Sequence, residues 1–357
     1  MYKQLEIRGR KPQTIITQGG MGVGVSRRHL AASVAIAGGI GVISTAGLDR
    51  LVSKEIGKEV GTCEAVEYEV RQAKKLSNGG LIGVNIMAFL QQDRDAAACG
   101  AMIGGADFIF TGAGLYLDLP KNKNNPYDTA FVPIVSSAQA LRIFCQKWEK
   151  FGRRPDAAVL EGPLAGGHLG FRLENIGNPD NRLEILLPQV KEVAKAYGDF
   201  PIIVAGGIYD RSDIQKFVGL GADGVQIGTR FLATEESDAP DAYKQAVIEA
   251  TEEDIAVVAN SPCGFPFRTL KTSPMYRAFI EKKMRIICDK GYLLQRDKEG
   301  KNTLCLAKNH PDQYFCICNG LLSSAGYFPG QDLYTVGANA GRVKKIISVK
   351  ELMDELR

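Results

Sequence analysis

A histidine within a glycine-rich segment is the residue of this sequence best suited to proton transfer. The segment reads Glu-Gly-Pro-Leu-Ala-Gly-Gly-His-Leu-Gly over residues 161–170, and His168 is one of only three histidines among 357 residues. A neutral imidazole can accept or donate a proton near pH 7, and glycines let a backbone approach a ligand closely because they have no Cβ. Taken alone, the segment is equally consistent with an ordinary turn that carries a surface histidine.

Two further glycine-containing loops could bind a phosphate. Residues 205–208, Ala-Gly-Gly-Ile, and residues 228–231, Gly-Thr-Arg-Phe, each follow a short apolar stretch. In many barrels a phosphate binds to the loops after the seventh and eighth strands, because backbone N–H groups and a helix N-terminus converge there; two ordinary strand-to-helix turns are the alternative. The predicted phosphate ligands are Gly206, Gly207, Gly228 and Thr229. Neither a G-x-G-x-x-G fingerprint after the first strand nor a Walker motif is present, so FMN or a sugar phosphate would be the ligand.

The ends of other apolar stretches carry groups that could meet a planar ring. Residues 18–21, Gln-Gly-Gly-Met, would place backbone amides and a flat thioether beside such a ring, although an isolated methionine also serves as core filler. Asn85, Glu161 and Gln226 could hydrogen-bond to a pyrimidine-like edge or could satisfy neighbouring backbone groups instead. Together these residues predict a ring-binding surface.

All of these residues follow short apolar stretches that alternate with segments of helical periodicity. Each stretch is short and apolar enough for a strand that is buried on both faces. The eight stretches cover residues 13–18, 41–45, 81–86, 107–112, 131–135, 156–161, 201–205 and 224–228. Eight strands alternating with helices predict an α/β fold of the (β/α)8 TIM-barrel type, whose active sites lie at the C-terminal strand ends. A doubly wound open sheet is the alternative, but it would need a topological switch point.

The regular alternation stops after Thr234, which predicts a division of the chain. We expect residues 1–236 to form the barrel and residues 337–357 to complete it. The intervening residues 237–336 are expected to form a smaller helical insertion at the barrel mouth, a lid or substrate-binding domain with a cysteine-rich segment.

Several helix boundaries can be predicted as well. Ser26 is expected to be the N-cap of the first helix, and Ser348 with Glu351 has the spacing of a capping box at the start of the last helix. Within the insertion, helical pieces are expected over residues 240–250 and 275–288.

Composition and charge exclude several classes of protein. The 44 basic and 40 acidic residues are mixed along the chain, without the basic stripe typical of nucleic-acid binding. Residues 1–11 are charged and lack the apolar region of a signal peptide, and the apolar run over residues 31–46 is broken by glycines. We therefore expect a cytoplasmic protein that acts on a small molecule, with no nucleic-acid or membrane partner.

Five of the eight cysteines lie in the C-terminal third of the chain, at Cys263, Cys288, Cys305, Cys316 and Cys318. Without an export signal a disulfide framework is not expected, and no C-x-x-C pair suggests a metal site. Free thiols and no bound metal are the expectation.

The loop sequences together carry a resemblance to a known family. Residues 18–21, 83–85, 161–170, 205–208 and 226–231, in this order, resemble the nitronate monooxygenase family, formerly called 2-nitropropane dioxygenases. That family is close kin to the FMN-dependent enoyl-acyl-carrier-protein reductases. The resemblance covers residues 13 to about 236, roughly two thirds of the chain.

The resemblance implies FMN as the cofactor, a phosphate at the two loops above, an isoalloxazine ring near Met21 and Asn85, and His168 as the catalytic base or proton donor. The residues expected to bind FMN are Gln18, Gly19, Gly20, Met21, Asn85, Glu161, Gly166, Gly167, Ala205, Gly206, Gly207, Gln226, Gly228 and Thr229.

The resemblance leaves the reaction open. A nitronate monooxygenase would oxidise alkyl nitronates or nitroalkanes with O2, and this is the activity that we expect. An enoyl-acyl-carrier-protein reductase would use NAD(P)H to reduce an enoyl thioester, and a quinone reductase is a further alternative. From another class, a non-catalytic protein that binds a flavin or a metal and serves as an interaction module would also fit the cysteines. The C-terminal third is longer than the resemblance leads us to expect, which leaves the substrate open, and we also leave open a homodimer as the assembly.

Overall fold

The computed structural model describes residues 2–91, 93–119, 128–287, 295–296, 302–303, 305–327 and 330–357. Within these residues, no helix combines the length and the apolar character needed to cross a membrane.

The strands fall into one large sheet and two small ones. In chain order they are β1 (Ile16–Gln18), β2 (Gly41–Ser44), β3 (Ile82–Met87), β4 (Phe108–Gly112), β5 (Ala130–Val135), β6 (Ala158–Glu161), β7 (Gly167–His168), β8 (Ile202–Ala205), β9 (Gly224–Ile227), β10 (Ile255–Val258), β11 (Phe267–Leu270), β12 (Gln295–Arg296) and β13 (Asn302–Thr303).

Helices follow most of the strands of the large sheet. They are α1 (Arg28–Ile36), α2 (Leu48–Ile56), α3 (Thr62–Leu76), α4 (Arg94–Gly104), α5 (Ala138–Glu149), α6 (Leu183–Ala196), α7 (Arg211–Gly219), α8 (Thr229–Leu232), α9 (Asp241–Glu249), α10 (Pro274–Ile280), α11 (Leu306–Asn309), α12 (Ile317–Ser324) and α13 (Val349–Leu356).

The large sheet is a closed parallel barrel. Its strands follow the order β1-β9-β8-β6-β5-β4-β3-β2, and all their pairings are parallel. Two hydrogen bonds join its ends, from Gln18 N to Ile40 O at 2.9 Å and from Ile40 N to Ile16 O at 3.0 Å. The predicted (β/α)8 TIM barrel is therefore confirmed, with all eight predicted strands in place.

The composition of these strands explains why they lie inside. Every residue of β2, β4, β8 and β9 is buried, as expected for strands that have helices on one face and the barrel interior on the other. Phe108 and Phe110 of β4 are fully buried. Strands that are buried on both faces are apolar throughout, so they do not show the two-residue alternation of polarity. Each one nevertheless stands out in the sequence as a short apolar stretch.

The segment after the barrel strands contains a small antiparallel sheet that the sequence did not predict. β10 pairs with β11, and β11 pairs with β7, so that Phe267 lies opposite His168 and Arg268 lies opposite Gly167. The segment of His168 is thus the third strand of a sheet whose other two strands come from residues 255–270. Two-residue strands such as β7 carry no periodicity that a sequence could reveal.

The predicted helices of this segment are present with different bounds. The stretch expected over residues 240–250 forms α9. The stretch expected over 275–288 forms α10, which already ends at Ile280. Cys288 and most of the polar stretch after it lie outside the described residues.

The first helix begins differently from the prediction. Ser26 is not its N-cap, because the Ser26 hydroxyl accepts hydrogen bonds from Gln18 Nε2 and from Met21 N, both at 2.9 Å. At the start of α1 the N–H groups of Arg27 and Leu30 are instead bound by the carboxylate of Asp238, which lies more than 200 residues away in the sequence, and Arg28 N donates to Glu69. No local pattern could have revealed that cap.

The last helix packs on the barrel. Ser348 Oγ accepts a hydrogen bond from Glu351 N at 3.1 Å, so half of the predicted capping box forms. The carboxylate of Glu351 binds Lys345 Nζ instead of closing the box. One face of α13 is buried between α1, α7 and α8.

Candidate active site

A cavity opens at the C-terminal ends of the barrel strands, as expected for this fold. All of the predicted site residues except Gln18 line it: Gly19, Gly20, Met21, Asn85, Glu161, Gly166, Gly167, His168, Ala205, Gly206, Gly207, Gln226, Gly228 and Thr229. The fold therefore brings together residues that are more than 200 positions apart in the sequence.

Gln18 is the exception, because it does not line the cavity. Its side chain is fully buried behind the cavity wall. Gln18 Oε1 accepts a hydrogen bond from Val42 N at 2.9 Å, and Gln18 Nε2 donates to Ser26 Oγ and to Gly19 O. The side chain thus supports the first loop from behind, because all of its polar atoms are already bound to protein.

Two glycines after β8 shape one wall of the cavity. Gly206 and Gly207 have φ values of +93° and +88°, a region that side chains rarely adopt. A Cβ at Gly206 would lie 2.8 Å from Gly162 O, and a Cβ at Gly207 would lie 2.9 Å from Leu164 Cδ1. In the described part of the chain the N–H groups of Gly206, Gly207 and Gly228 have no hydrogen-bond acceptor. This wall therefore presents donors at the place where a phosphate was predicted.

A third segment completes this wall, and sequence reasoning missed it. Gly337 N donates to Thr229 Oγ1 at 2.9 Å, Ala338 N donates to Leu164 O at 3.0 Å, and Asn339 Nδ2 donates to Gly207 O at 2.7 Å. The run of small residues over 337–341 was the available signal, because such a run permits close packing of backbone on backbone. Thr229 Oγ1 accepts a hydrogen bond from this segment, so its hydroxyl hydrogen remains available to donate to a ligand.

His168 faces the cavity between two aromatic rings. Its imidazole centroid lies 5.1 Å from that of Phe89, in an edge-on arrangement, and 6.4 Å from that of Phe267. Among the described residues the imidazole has no hydrogen-bond partner. Burial lowers the pKa of His168 to about 4, so the imidazole is neutral at pH 7 and can accept a proton.

Glu161 is the second titratable group that lines the cavity at the end of a strand. It is the last residue of β6 and lies opposite Ala205 in the register with β8. No ion pair or hydrogen bond holds its carboxyl group within the described part of the protein. Burial raises the pKa of Glu161 to about 7. Because the environment pushes the pKa values of Glu161 and His168 in opposite directions, the cavity offers a neutral base and a partly protonated acid at the same pH.

Part of the cavity is apolar. Its apolar lining includes Met87, Ile134, Phe267, Ile317 and Leu321, of which the last three come from the segment after the barrel strands. Phe267 is supported from behind by Phe315, with ring centroids 5.1 Å apart. The substrate side of the cavity is therefore suited to an alkyl or acyl group.

The cysteines stand apart from this cavity. Cys63, Cys99, Cys145, Cys263 and Cys305 are free thiols, and none of the described cysteines lines the cavity. In the regions that the structure covers, no group of three or more His, Cys, Asp or Glu side chains is arranged to hold a metal ion.

The fold and cavity define a class of protein: a closed (β/α)8 barrel with titratable and glycine-rich loops at the C-terminal ends of its strands. Residues 101–357 match the family model described as nitronate monooxygenase. The chain therefore belongs to the nitronate monooxygenase family, as its loop sequences indicated, and this family is one of oxidoreductases.

Curated relatives match only part of the chain. A probable nitronate monooxygenase of Bacillus subtilis (strain 168) is 40% identical over 102 residues, which is 29% of this chain and 28% of the relative. A probable nitronate monooxygenase of Staphylococcus aureus (strain JH9) is 38% identical over 107 residues, again 29% of this chain and 28% of the relative. The matched segment thus spans less than a third of these relatives.

Solved structures match nearly the whole chain in fold. FabK from Thermotoga maritima superposes with a TM-score of 0.69 at 23% identity and covers 97% of this chain and 92% of its own. Nitroalkane oxidase from Streptomyces ansochromogenes superposes with a TM-score of 0.67 at 20% identity, covering 97% and 95%. At these identities the likeness concerns the fold, and it extends over the segment after the barrel strands.

Proposed function

We propose that this protein is an FMN-dependent nitronate monooxygenase that oxidises alkyl nitronates and nitroalkanes with O2. The observation that carries the proposal is the neutral imidazole of His168, which faces a cavity lined by free backbone N–H groups on one side and by apolar side chains on another. Family membership supports the class of reaction.

The residues at the cavity wall fit FMN. Gly206 and Gly207 pack so closely against Gly162 and Leu164 that a Cβ would not fit, and their unpaired N–H groups suit a phosphate better than a neutral group. Gly228 and Thr229 would complete the phosphate site. Met21, Asn85, Glu161 and Gln226 would hold the ring system, with Gly19, Gly20, Gly166, Gly167 and Ala205 providing close backbone approach. When bound, FMN would supply the electron acceptor for the reaction.

The chain's own side chains would handle the proton and the substrate. His168 is neutral at pH 7 and would remove the α-proton of a neutral nitroalkane, or would orient a nitronate that has already lost this proton. The apolar side chains of Phe267, Ile317 and Leu321 would receive the alkyl group and exclude water.

A second candidate function is the reduction of an enoyl thioester by NAD(P)H through FMN. The apolar lining favours it, because Met87, Ile134, Phe267, Ile317 and Leu321 would also accommodate an acyl chain. In this reaction His168 would assist protonation of the substrate or bind the nicotinamide donor. The two candidates share the cofactor and differ in the electron donor.

The first test is the cofactor itself. We expect the purified protein to be yellow and to release FMN on denaturation, and we expect O2 consumption to begin when an alkyl nitronate is added. A colourless protein that cannot be reconstituted with FMN would contradict the proposal.

A further inference from the structure

Arg268 is a buried cation that contacts the loop in front of His168. It lies in β11 and is only 4% exposed. Its Nη2 donates to Pro163 O at 2.9 Å, and its Nη1 donates to Ala165 O. Both acceptors are backbone carbonyls of the turn that leads into Gly166, Gly167 and His168. Within the described residues no carboxylate forms an ion pair with this guanidinium.

Burying a cation without a counter-ion is unfavourable. The loss of hydration is large enough to lower the pKa of Arg268 to about 10. An apolar side chain of similar size would be less costly at a buried position of a strand, because it would lose no hydration. The arginine is therefore better explained by what its two hydrogen bonds hold than by any gain in stability.

The rest of β11 holds the same segment through its backbone. Phe267 and Arg268 pair with His168 and Gly167, and Leu169 N donates to Pro266 O at 2.8 Å. On this same edge Arg268 O accepts a hydrogen bond from Val336 N at 3.3 Å, and the other edge of β11 pairs with β10. Hydrogen bonds thus hold β11 on both of its edges, and the guanidinium of Arg268 attaches the turn at residues 163–165 to this strand.

We propose that Arg268 is a positioning residue for His168. The guanidinium binds two carbonyls of the turn through two separate nitrogens held in one plane, a geometry that the single nitrogen of a lysine ammonium does not reproduce. This clamp keeps the imidazole between Phe89 and Phe267 and directed into the cavity. The role rests on the proposed function only in so far as His168 is the base.

The test compares Arg268→Lys with Arg154→Lys, both in the flavin-bound protein. Arg154 is a matched control, because it also donates to a backbone carbonyl, Tyr197 O at 3.0 Å, but lies before β6 at the other end of the barrel. Two quantities are measured for each variant. One is the ratio of kcat/KM for a neutral nitroalkane to kcat/KM for its nitronate, and the other is the titration of His168 by NMR.

The ratio of the two kcat/KM values distinguishes a misplaced His168 from a general loss of activity. Only the neutral nitroalkane needs a base, so we expect Arg268→Lys to lower this ratio by about 10²-fold, the effect typical of a misplaced catalytic group. Arg154→Lys should leave the ratio unchanged. An equal loss for both substrates in Arg268→Lys would overturn the proposal.

The titration does not depend on activity. The chain has three histidines, so the signal of His168 can be assigned by its disappearance in His168→Gln. We expect His168 to titrate well below its ordinary pKa of 6.5 in the wild type and to shift toward 6.5 in Arg268→Lys, because a released loop exposes the imidazole. An unchanged midpoint would contradict the clamp. If the wild type oxidises neither substrate, the proposed function fails while this titration still decides the role of Arg268.

A second variant covers the case in which Arg268→Lys does not fold. Arg268→Ala is prepared with guanidinium ion in the buffer, which can occupy the same site and bind both carbonyls. Recovery of the low His168 titration midpoint on adding guanidinium supports the clamp, and the absence of any recovery contradicts it.

Discussion

At the scale of single residues, the site depends on two side chains whose pKa values move in opposite directions. Burial favours the neutral form of both groups, so the imidazole of His168 loses its proton and the carboxyl of Glu161 tends to keep it. A substrate would therefore meet a base and an acid in one apolar cavity. Neither group has a hydrogen-bond partner in the described residues, which leaves the polar atoms of both available for a ligand.

Replacing His168 tests its role as a base. We expect His168→Ala to keep FMN and to lose about 10²–10⁴-fold in kcat/KM for a neutral nitroalkane, the usual contribution of general base catalysis. The exposed His310 serves as the control, and His310→Ala should have wild-type rates. Unchanged rates in His168→Ala would show that the histidine has only a structural role.

The two pKa shifts also predict how stability depends on pH. Folded Glu161 keeps its proton up to about pH 7, whereas the ordinary value is 4.5, so its contribution to stability is present below pH 4.5 and is lost as the pH rises to 7. Between these pH values the wild type, freed of flavin, should lose about 3 kcal/mol of unfolding free energy relative to Glu161→Gln. Denaturant titrations of both proteins at several pH values measure this difference. A constant difference would contradict the raised pKa.

His168 should show the opposite dependence. Its folded pKa of about 4 lies below the ordinary 6.5, so its contribution is present above pH 6.5 and is lost as the pH falls to 4. Relative to His168→Gln, the wild type should become less stable over this interval by a similar amount. The same denaturant titrations check it, and a wild type that gains stability relative to His168→Gln on acidification would be inconsistent with a buried, neutral imidazole.

Single residues were predictable from the sequence where their local context was distinctive. His168 and the glycines after β8 were found because rare or small residues follow apolar stretches. Arg268 and Asn339 were missed, because an arginine within an apolar run or an asparagine within a loop is unremarkable until the chain has folded back on itself. Gln18 was predicted to contact the ligand from its position at a strand end, and that position did not reveal the direction of its side chain.

At the scale of elements, loops after four strands and one added segment converge on the cavity. The barrel supplies the loops after β1, β6, β8 and β9, and the segment over residues 337–339 is bound to three of them. The sequence predicted the strands because parallel buried strands are continuously apolar. It could not predict β7 or its pairing with β11, since that contact joins residues about 100 positions apart without any local pattern.

A glycine substitution tests the predicted phosphate wall. In Gly207→Ala the new Cβ would crowd Leu164 and the backbone would be strained at φ +88°. Gly221→Ala is the matched control, because Gly221 has φ +99° but open space around it. Both variants should lose of the order of 1–3 kcal/mol in stability from backbone strain.

The two glycine variants should differ in flavin binding. We expect Gly207→Ala to release FMN on dialysis and Gly221→Ala to retain it, as measured by the flavin absorbance that remains with the protein. Equal retention by both variants would place the phosphate elsewhere.

At the scale of the whole molecule, the last helix is part of the barrel and not an appendage. Leu352 of α13 is fully buried against the helices around the barrel, whereas Lys350 is exposed. We expect Leu352→Ala to lower the unfolding free energy by about 2–5 kcal/mol and Lys350→Ala to leave it unchanged. Denaturant unfolding measures both, and an unaffected Leu352→Ala would show that α13 does not stabilise the barrel.

The source of the electrons that reduce the flavin can be tested in one anaerobic experiment. The flavin-bound protein is mixed separately with an alkyl nitronate, NADH and NADPH, and the loss of the flavin absorbance is followed. The proposed function predicts rapid bleaching by the nitronate and little by either nicotinamide. Rapid bleaching by NADH or NADPH, with none by the nitronate, would contradict it and would favour the reductase.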